Sequence, residues 1–235
     1  MNVDRFLALV SIALGLIGVF IGLRFDPMGW AILAVGVIVA IWVVWHAKTE
    51  PPFAPIARAQ HFRFLDPGGN VVEVTRIASY RINRSGVHVI PITGIYATGK
   101  LTDFTSNLGT VKGVGAAGGS PVQHLEFNPA PPARTVVTPI LRFRGRNCFE
   151  QPEESVTHLP SGRWQRASLV LEFHPDRFPA VVRAIRRAGT DPEEEVESWR
   201  LSKSLPAVAW DFKPRRGTTY LLKWAWPDAA TGPSG

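Results

Sequence analysis

Two long uncharged runs near the N-terminus dominate the hydropathy pattern of this chain. Residues 6–23 contain 18 consecutive positions without a charge, and residues 29–45 form a second such run. A helix of that length rises roughly 27 Å, close to the thickness of the hydrocarbon layer of a bilayer. The short connector contains Asp26-Pro27, which is typical of a turn, so the two helices would be antiparallel neighbours. The pattern predicts a two-helix transmembrane hairpin over residues 1–48.

The charges that flank the two runs predict their orientation. Arg5 and Lys48 lie at the outer ends of the hairpin, whereas Arg24 in the connector is balanced by Asp26. The positive-inside rule then places both termini, and everything after the hairpin, in the cytoplasm. The expected localisation is a two-pass protein of the cell membrane, with the lipid bilayer as a partner. Residues expected at the membrane interface are Trp30, Trp42, Trp45 and Lys48.

Small residues in the first run predict a helix-packing face. Gly15, Gly18 and Gly22 are three and four positions apart, so they share one side of a helix. This face either packs against the second helix or mediates self-association through the spans. Neither run contains an ionisable residue, which favours an anchor, or a pore formed only by oligomers, over a transporter.

The remainder of the chain has the pattern of short strands and turns that is typical of a β-protein. Residues 49–60 are rich in proline and predict a stiff linker. From 61 to 228, short runs of Val, Ile, Thr and aromatic residues alternate with turn residues, as in the alternating segment 71–82. The predicted fold class is therefore a mainly-β domain after the hairpin, with an immunoglobulin-like β-sandwich favoured and a barrel as the alternative. One or two β subdomains are both compatible, and residues 229–235 are expected to be a disordered tail.

Two segments leave helix and strand open. Residues 178–189 place Val181, Val182 and Ile185 on one helical side, yet the same residues would also form a strand. The following segment, 190–199, begins with Asp191-Pro192 and several acidic residues, a pattern typical of the first turn of a helix. A short helix is expected there.

The C-terminal region contains one local resemblance. Pro214-Arg-Arg-Gly217-Thr-Thr-Tyr220, followed by Leu222 and Trp224, resembles the turn and tyrosine that start a late strand in immunoglobulin-like sandwiches. The resemblance covers about a dozen residues. It favours a sandwich and implies nothing about a ligand.

Charge suggests the chemistry of the partner. The chain has a formal net charge of +7, and the 23 basic and 16 acidic residues after position 50 account for all of it. Two basic clusters could dock an anion: Arg142, Arg144 and Arg146 alternate along a predicted strand, and Arg183, Arg186 and Arg187 would share a helical face. The glycine-rich segment 112–120 could wrap an anion with backbone N–H groups. The candidate ligand-binding residues are Lys112, Gly113, Gly115, Arg142 and Arg144.

No set of residues predicts catalysis, a cofactor or a metal. The single Cys148 excludes an intrachain disulfide, and no histidines have the spacing of paired metal ligands. The segment 94–100 has the spacing of a phosphate loop, but Leu101 replaces the Ser or Thr that would bind magnesium. No interleaving of basic and aromatic residues is specific enough to favour nucleic acid, which is therefore not expected as a partner.

Two functions follow as hypotheses. The first is a membrane-anchored interaction or scaffold module that is not an enzyme and that binds a protein partner. The alternative rests on architecture alone: two transmembrane helices followed by a β-domain resemble prokaryotic defence effectors. That resemblance implies a β-domain that senses a nucleotide signal and helices that then disrupt the membrane.

Overall fold

The computed structural model describes residues 35–39, 41–42, 51–92, 99–114, 122–160 and 162–227. The chain separates into two compact units, Met1–Pro51 and Pro52–Gly235. In the first unit the described residues 35–39 and 41–42 are helical. The second unit is a β-domain.

The described part of the chain does not support the predicted membrane hairpin. No helix within it is both long and apolar enough to cross a bilayer. The prediction of a two-helix transmembrane hairpin, and of a two-pass protein with both termini in the cytoplasm, is therefore wrong. The uncharged runs satisfied the composition of a span, but composition does not establish a continuous helix of that length.

The roles predicted for individual residues of the hairpin are therefore not supported either. Trp42, expected at a membrane interface, is a helical residue that is 59% exposed. The other residues assigned to the interface or to helix packing lie outside the described residues: Gly15, Gly18, Gly22, Trp30, Trp45 and Lys48.

Fourteen strands are described in the β-domain. They are β1 (Phe53–Phe64), β2 (Val71–Ile82), β3 (Val89–Ile92), β4 (Lys100–Ser106), β5 (Thr110–Val114), β6 (Val122–Glu126), β7 (Val136–Val137), β8 (Ile140–Arg146), β9 (Glu153–His158), β10 (Arg166–Glu172), β11 (Val181–Ala188), β12 (Glu194–Arg200), β13 (Ala207–Phe212) and β14 (Thr218–Ala225). The segment 49–60, predicted to be a linker, thus contributes residues 53–60 to the first strand.

The described strands form three sheets. Sheet 1 has the order β13-β10-β1-β2-β8-β4, with β7 also pairing to β2. Sheet 2 has the order β12-β11-β14-β9, and sheet 3 has the order β3-β6-β5. Most neighbours are antiparallel, but β1 and β10 are parallel. This pairing brings residues more than 100 positions apart into direct register, such as Ala59 with Ser168.

The turn between β1 and β2 shows how local chemistry sets this architecture. The Asp66 carboxylate accepts hydrogen bonds from the backbone N–H groups of Asn70 (3.2 Å) and Val71 (2.5 Å). Gly69 has a φ of +75°, and a Cβ there would lie 2.9 Å from the carbonyl oxygen of Phe149. Glycine is therefore required both by the turn and by the close backbone approach. The turn fixes the register of the two longest strands.

Sheet 1 contributes to two hydrophobic cores. On β2, inward residues alternate with outward ones, so that Val72 and Val74 enter one core and Tyr80 and Ile82 enter the other. In the first core, strands of sheet 1 pack against strands of sheet 2 through residues that include Leu169, Trp210, Leu222 and Trp224. In the second core, sheet 1 packs against sheet 3 through residues that include Ile90, Leu125 and Trp164. The two cores leave the opposite faces of sheets 1 and 2 available to solvent.

The two ambiguous segments are both strands. Residues Val181–Ala188 form β11 and Glu194–Arg200 form β12, paired as an antiparallel hairpin with a bulge between Ala184 and Ile185. The helix expected over 190–199 is therefore wrong. Pairing to β11 satisfies the backbone of this segment, and tertiary context of this kind routinely overrides a local cap signal.

The local resemblance near Tyr220 has a structural counterpart. The Tyr220 hydroxyl accepts a hydrogen bond from the backbone N–H of Arg215 (2.9 Å) and donates one to the carbonyl oxygen of Lys213 (3.4 Å). The side chain at the start of β14 thus holds the preceding turn, as a tyrosine corner does.

Candidate functional site: a basic groove on sheet 1

A groove crosses the outer face of sheet 1. Its volume is about 1020 Å³. Because side chains alternate along a strand, Ala57 and Ala59 face outward on β1 while Arg58 and Gln60 face the core. The groove is wide because the outward side chains that line it on β1, β2 and β10 are short ones: Ala57, Ala59, Ser79 and Ser168, with Ile77 as the larger exception.

Strand register brings these residues together. Ala59 lies between Ser168 of β10 and Ile77 of β2, and Ala57 lies between Arg166 and Ser79. The groove therefore runs across the strands, over a floor on which few side chains extend toward a ligand. A floor of this kind lets another polypeptide approach the sheet closely.

The rim of the groove is basic. Arg163, Arg166 and Lys213 line it together with a single carboxylate, Asp211. All four residues are exposed. Among the described residues, none of the three cations has an ion-pair partner within 4 Å. An exposed cluster without internal partners gives a positive potential that attracts anions.

Rigid elements position this rim. Trp164, between Arg163 and Arg166, is 5% exposed, and the Arg58 guanidinium stacks over its ring at 4.2 Å. The next residue, Gln165, donates its backbone N–H to the carbonyl of Ile56 (2.8 Å), which ties the segment to β1. On the opposite side, the Tyr220 hydroxyl holds the backbone that follows Lys213. The cations are therefore presented at fixed places, which reduces the entropy lost on binding.

The outer face of sheet 2 has the opposite arrangement. Its pocket, of about 670 Å³, is lined by three carboxylates and two cations: Glu153, Glu154, Glu193, Arg183 and Lys223. The cations of this face are paired with carboxylates from the β11–β12 hairpin. The pairs are Arg183–Glu195 (3.7 Å), Arg187–Glu193 (3.7 Å) and Lys223–Glu193 (2.5 Å).

A basic cluster also lies inside the domain. Arg58 and Arg76 are 3% and 2% exposed on the inner face of sheet 1, near Tyr80 and His158. Burial lowers the pKa of Arg58 to about 10 and that of Arg76 to about 9, so both guanidiniums stay charged at neutral pH. Burial, and then the positive charges of the two arginines, lower the pKa of His158 to about 3. The imidazole is therefore neutral.

The residues proposed from the sequence are not brought together. Arg142 and Arg144 are exposed on β8, as their alternation predicted, and share the outer face of sheet 1 with the groove. Lys112 lies on sheet 3, where its ammonium group forms an ion pair with Glu126 at 2.6 Å. The neighbouring Gly113 has space for a side chain, because an added Cβ would meet only ordinary contacts at 3.6 Å. Gly115 lies outside the described residues.

Sequence analysis missed the residues that define the groove. Arg166 and Lys213 are far apart in the sequence and become neighbours only through the pairing of β10 with β13. Arg76, by contrast, could have been found. It shares the inward parity of Val72, Val74 and Tyr80, so a charge at that position predicts a buried cation.

The described residues that could bind a metal or act as a nucleophile do not form a site. Within the described ranges, no three His, Cys, Asp or Glu side chains lie close enough to hold a metal ion. Cys148 is buried, and burial raises the pKa of its thiol. A raised pKa keeps the thiol protonated and so disfavours it as a nucleophile.

Comparisons with known proteins do not assign a family. No protein-family model matches the chain, and no curated protein matches it. Similar solved structures include an M1 zinc metallopeptidase from Deinococcus radiodurans, with 11% identity, a TM-score of 0.40, and coverage of 74% of this chain and 42% of the peptidase. A mutant of that peptidase bound to a Tyr-Ser-Ala substrate matches with 11% identity, a TM-score of 0.39, and coverage of 73% and 42%. The chain thus spans less than half the length of these peptidases, and similarity this low supports no statement about function.

Proposed function

We propose that the β-domain is an interaction module that binds an acidic polypeptide segment of a partner protein in the groove on the outer face of sheet 1. The observation that carries this proposal is the rim itself, where three cations face one carboxylate and the described residues supply no ion-pair partners for them. Electrostatic complementarity with an acidic segment would increase the association rate and select against basic partners.

The groove lining favours binding over catalysis. The described residues that line it include no His, Cys or Glu, and its one carboxylate, Asp211, is exposed. General acid–base catalysis commonly uses His, Glu or Lys side chains whose pKa is tuned by burial. Lys213 is exposed, and no second group beside it resembles a catalytic pair.

The floor favours a polypeptide over a nucleotide. Two aromatic residues belong to the described lining, and neither offers a free platform for a base. Trp164 is 5% exposed and lies beneath Arg58, and the ring of Phe212 is stacked on that of Tyr220 at 4.2 Å. Nucleotide and single-strand sites commonly stack bases on aromatic side chains. A shallow floor of Ala and Ser instead accommodates the backbone and short side chains of an extended or helical segment.

A binding assay with the full-length chain tests this proposal. The probe is a fluorescent oligoglutamate peptide, and the test variant is Arg166→Gln/Lys213→Gln. Two exposed charge contacts of 0.2–1 kcal/mol each predict about a tenfold loss of affinity. The matched control, Arg183→Gln/Arg187→Gln, removes two cations from the self-paired face of sheet 2 and is expected to leave the affinity unchanged.

Three outcomes would contradict the proposal. The first is the absence of saturable binding by the wild-type chain. The second is an equal loss of affinity in the control variant, which would mean that net charge alone drives the association. The third is saturable binding of ATP that the groove variant abolishes, which would assign the groove to a nucleotide.

A further inference from the structure

Strand β13 forms one edge of sheet 1. It pairs with β10 on one side and, in the described part of the chain, with no strand on the other. Its sequence AVAWDF contains a single charge, and its register with β10 runs from Ala207 to Phe212 without a bulge. The free side of an edge strand presents N–H and C=O groups to which another strand can pair. β13 is thus a regular and mostly apolar edge.

The edges at the ends of the other described strand orders carry features that oppose such pairing. β4, at the opposite edge of sheet 1, is interrupted by a bulge between Thr102 and Thr105. In sheet 2, β12 has a bulge and three glutamates, and β9 begins with two glutamates. In sheet 3, β3 contains Pro91 and β5 contains Lys112. Bulges, charges and proline are the means by which natural proteins protect edges, and β13 has only one charge of this kind.

One hydrogen bond shows which residues of β13 face its free side. Phe173 donates its backbone N–H to the carbonyl oxygen of Pro206 (2.8 Å), so these residues form a hydrogen-bonded pair just before β13. Hydrogen-bonded pairs recur at every second residue of an antiparallel ladder. From Val208 onward, every second residue therefore directs its backbone groups to β10. The free side receives the backbone groups of the other three residues, which are Ala207, Ala209 and Asp211.

The side chains of these three edge residues leave room for a second strand. They lie on the outer face of sheet 1, because Val208 and Trp210 between them are buried in the core. Two of the three are alanines, and Ala209 at the centre is exposed. A strand added here would approach without displacing a large side chain.

The edge is complementary to itself. When two copies pair antiparallel with Ala209 opposite Ala209, Ala207 of each copy lies opposite Asp211 of the other, and all three edge residues are paired. Sliding one copy by two residues leaves one edge residue without a partner in β13. Sliding by four residues in one direction places two Asp211 carboxylates opposite each other, which is destabilising. The register centred on Ala209 therefore makes the most backbone contacts and opposes no like charges within the strand.

We infer that β13 pairs antiparallel with β13 of a second copy of this chain, centred on Ala209, so that sheet 1 continues from one copy into the other. This is strand addition at a sheet edge, used here between identical chains. The twofold axis is perpendicular to the sheet, so the grooves of both copies open on the same side. The contact uses backbone groups of the edge and does not depend on the acidic ligand proposed for the groove.

Disulfide cross-linking of the full-length chain tests this register. The Cα atoms of a hydrogen-bonded antiparallel pair are about 5.5 Å apart, which a disulfide can span. Ala209→Cys is therefore expected to give a covalent dimer on oxidation with diamide, seen on a non-reducing gel. The matched control is Ala207→Cys, on the same strand and face. Its two thiols would be separated by roughly 13 Å along the strands, at about 3.3 Å per residue, and it is expected to stay monomeric.

A mixture of two variants tests the same register at a second position. Ala207→Cys and Asp211→Cys are each expected to stay monomeric alone and to cross-link when mixed. Adding Ala209→Pro to both is expected to abolish this product, because proline lacks the N–H that faces the free edge, while the bonds to β10 are kept. The groove variant Arg166→Gln/Lys213→Gln, combined with Ala209→Cys, is expected to cross-link fully, which separates this test from that of the proposed function.

Three results would overturn the inference. The first is an Ala209→Cys chain that stays monomeric after oxidation. The second is an equal yield of dimer from Ala209→Cys and Ala207→Cys, which would mean that the chains cross-link by random collision. The third is a mixture of Ala207→Cys and Asp211→Cys that gives no mixed dimer, which would exclude the register centred on Ala209.

Discussion

The cations at the groove rim of sheet 1 and those on the outer face of sheet 2 differ in how they are compensated. On sheet 2, each of Arg183, Arg187 and Lys223 lies within 4 Å of a glutamate. On sheet 1, the three cations at the groove rim have no such partner among the described residues. From the sequence alone, the arginine cluster at 183–187 and the cluster at 142–146 were equally good candidates for binding an anion. The comparison teaches that a binding surface is indicated by charge without a partner in the folded domain, not by the number of basic residues.

The largest expected effect tests whether both faces rest on the same core. Leu169 lies beneath the groove and Leu222 beneath the face of sheet 2, and both are 0% exposed in the shared core. Truncating a buried leucine removes apolar contacts and leaves a cavity, so Leu169→Ala and Leu222→Ala are each expected to lower the free energy of unfolding by about 3 kcal/mol. Urea denaturation measures this. A much smaller loss for one variant would show that its face is not supported by a packed core.

The second prediction concerns the groove floor. Ala59→Glu places a carboxylate between the rim cations, where it both fills space and neutralises them. The affinity for oligoglutamate is expected to fall about tenfold, equivalent to about 1.4 kcal/mol. Ser155→Glu adds the same side chain to the pocket of sheet 2 and serves as the control, with no change expected. Equal losses in the two variants would remove the distinction between the faces.

The third prediction concerns salt. Raising the ionic strength from about 0.1 M to about 1 M shortens the Debye length from about 10 Å to about 3 Å. Because the rim cations are exposed, we expect oligoglutamate binding to weaken about fivefold, as measured by fluorescence anisotropy. The variant Arg166→Gln/Lys213→Gln is expected to show a flatter salt dependence. A wild-type affinity that does not change with salt would mean that apolar contacts dominate the binding of oligoglutamate.

The smallest expected effect is on sheet 2. The hydrogen bond from Lys223 holds the pKa of Glu193 below its ordinary value of 4.5. A carboxylate with a lowered pKa in the folded state stabilises that state above its unfolded pKa, and this contribution is lost as the pH falls through the folded pKa. We expect the stability advantage of the wild type over Glu193→Gln to shrink below pH 4.5, as measured by thermal unfolding. A stability advantage of the wild type that grows as the pH falls would mean that the pKa of Glu193 is raised in the folded state, not lowered.

Local pattern explains the part of the fold that was predictable. Alternation in β2 and β8 predicted strands and the outward direction of Arg142 and Arg144, because a period of two determines which face a side chain occupies. The β11–β12 hairpin was not predictable from its own residues. The Asp191-Pro192 signal is typical of a helix start, and only pairing with β11 reverses it.

The groove was less accessible to sequence reasoning than the fold. Its floor requires the parallel register of β1 with β10, and its rim requires the pairing of β10 with β13. Register between strands more than 30 residues apart is set by packing of the whole sheet, and a short pattern does not contain it. The predicted membrane hairpin failed for a related reason, since an apolar run limits where a segment can lie without specifying a continuous helix.

The most direct test of the account is chemical-shift mapping by amide NMR as oligoglutamate is added to the full-length chain. We predict that shift changes concentrate on the groove floor and rim of sheet 1, at Ala57, Ala59 and Ser168, while Ser155 and Ala180 on the pocket of sheet 2 remain unchanged. Changes on sheet 2, or changes spread equally over both faces, would contradict the claim that uncompensated charge identifies the binding surface.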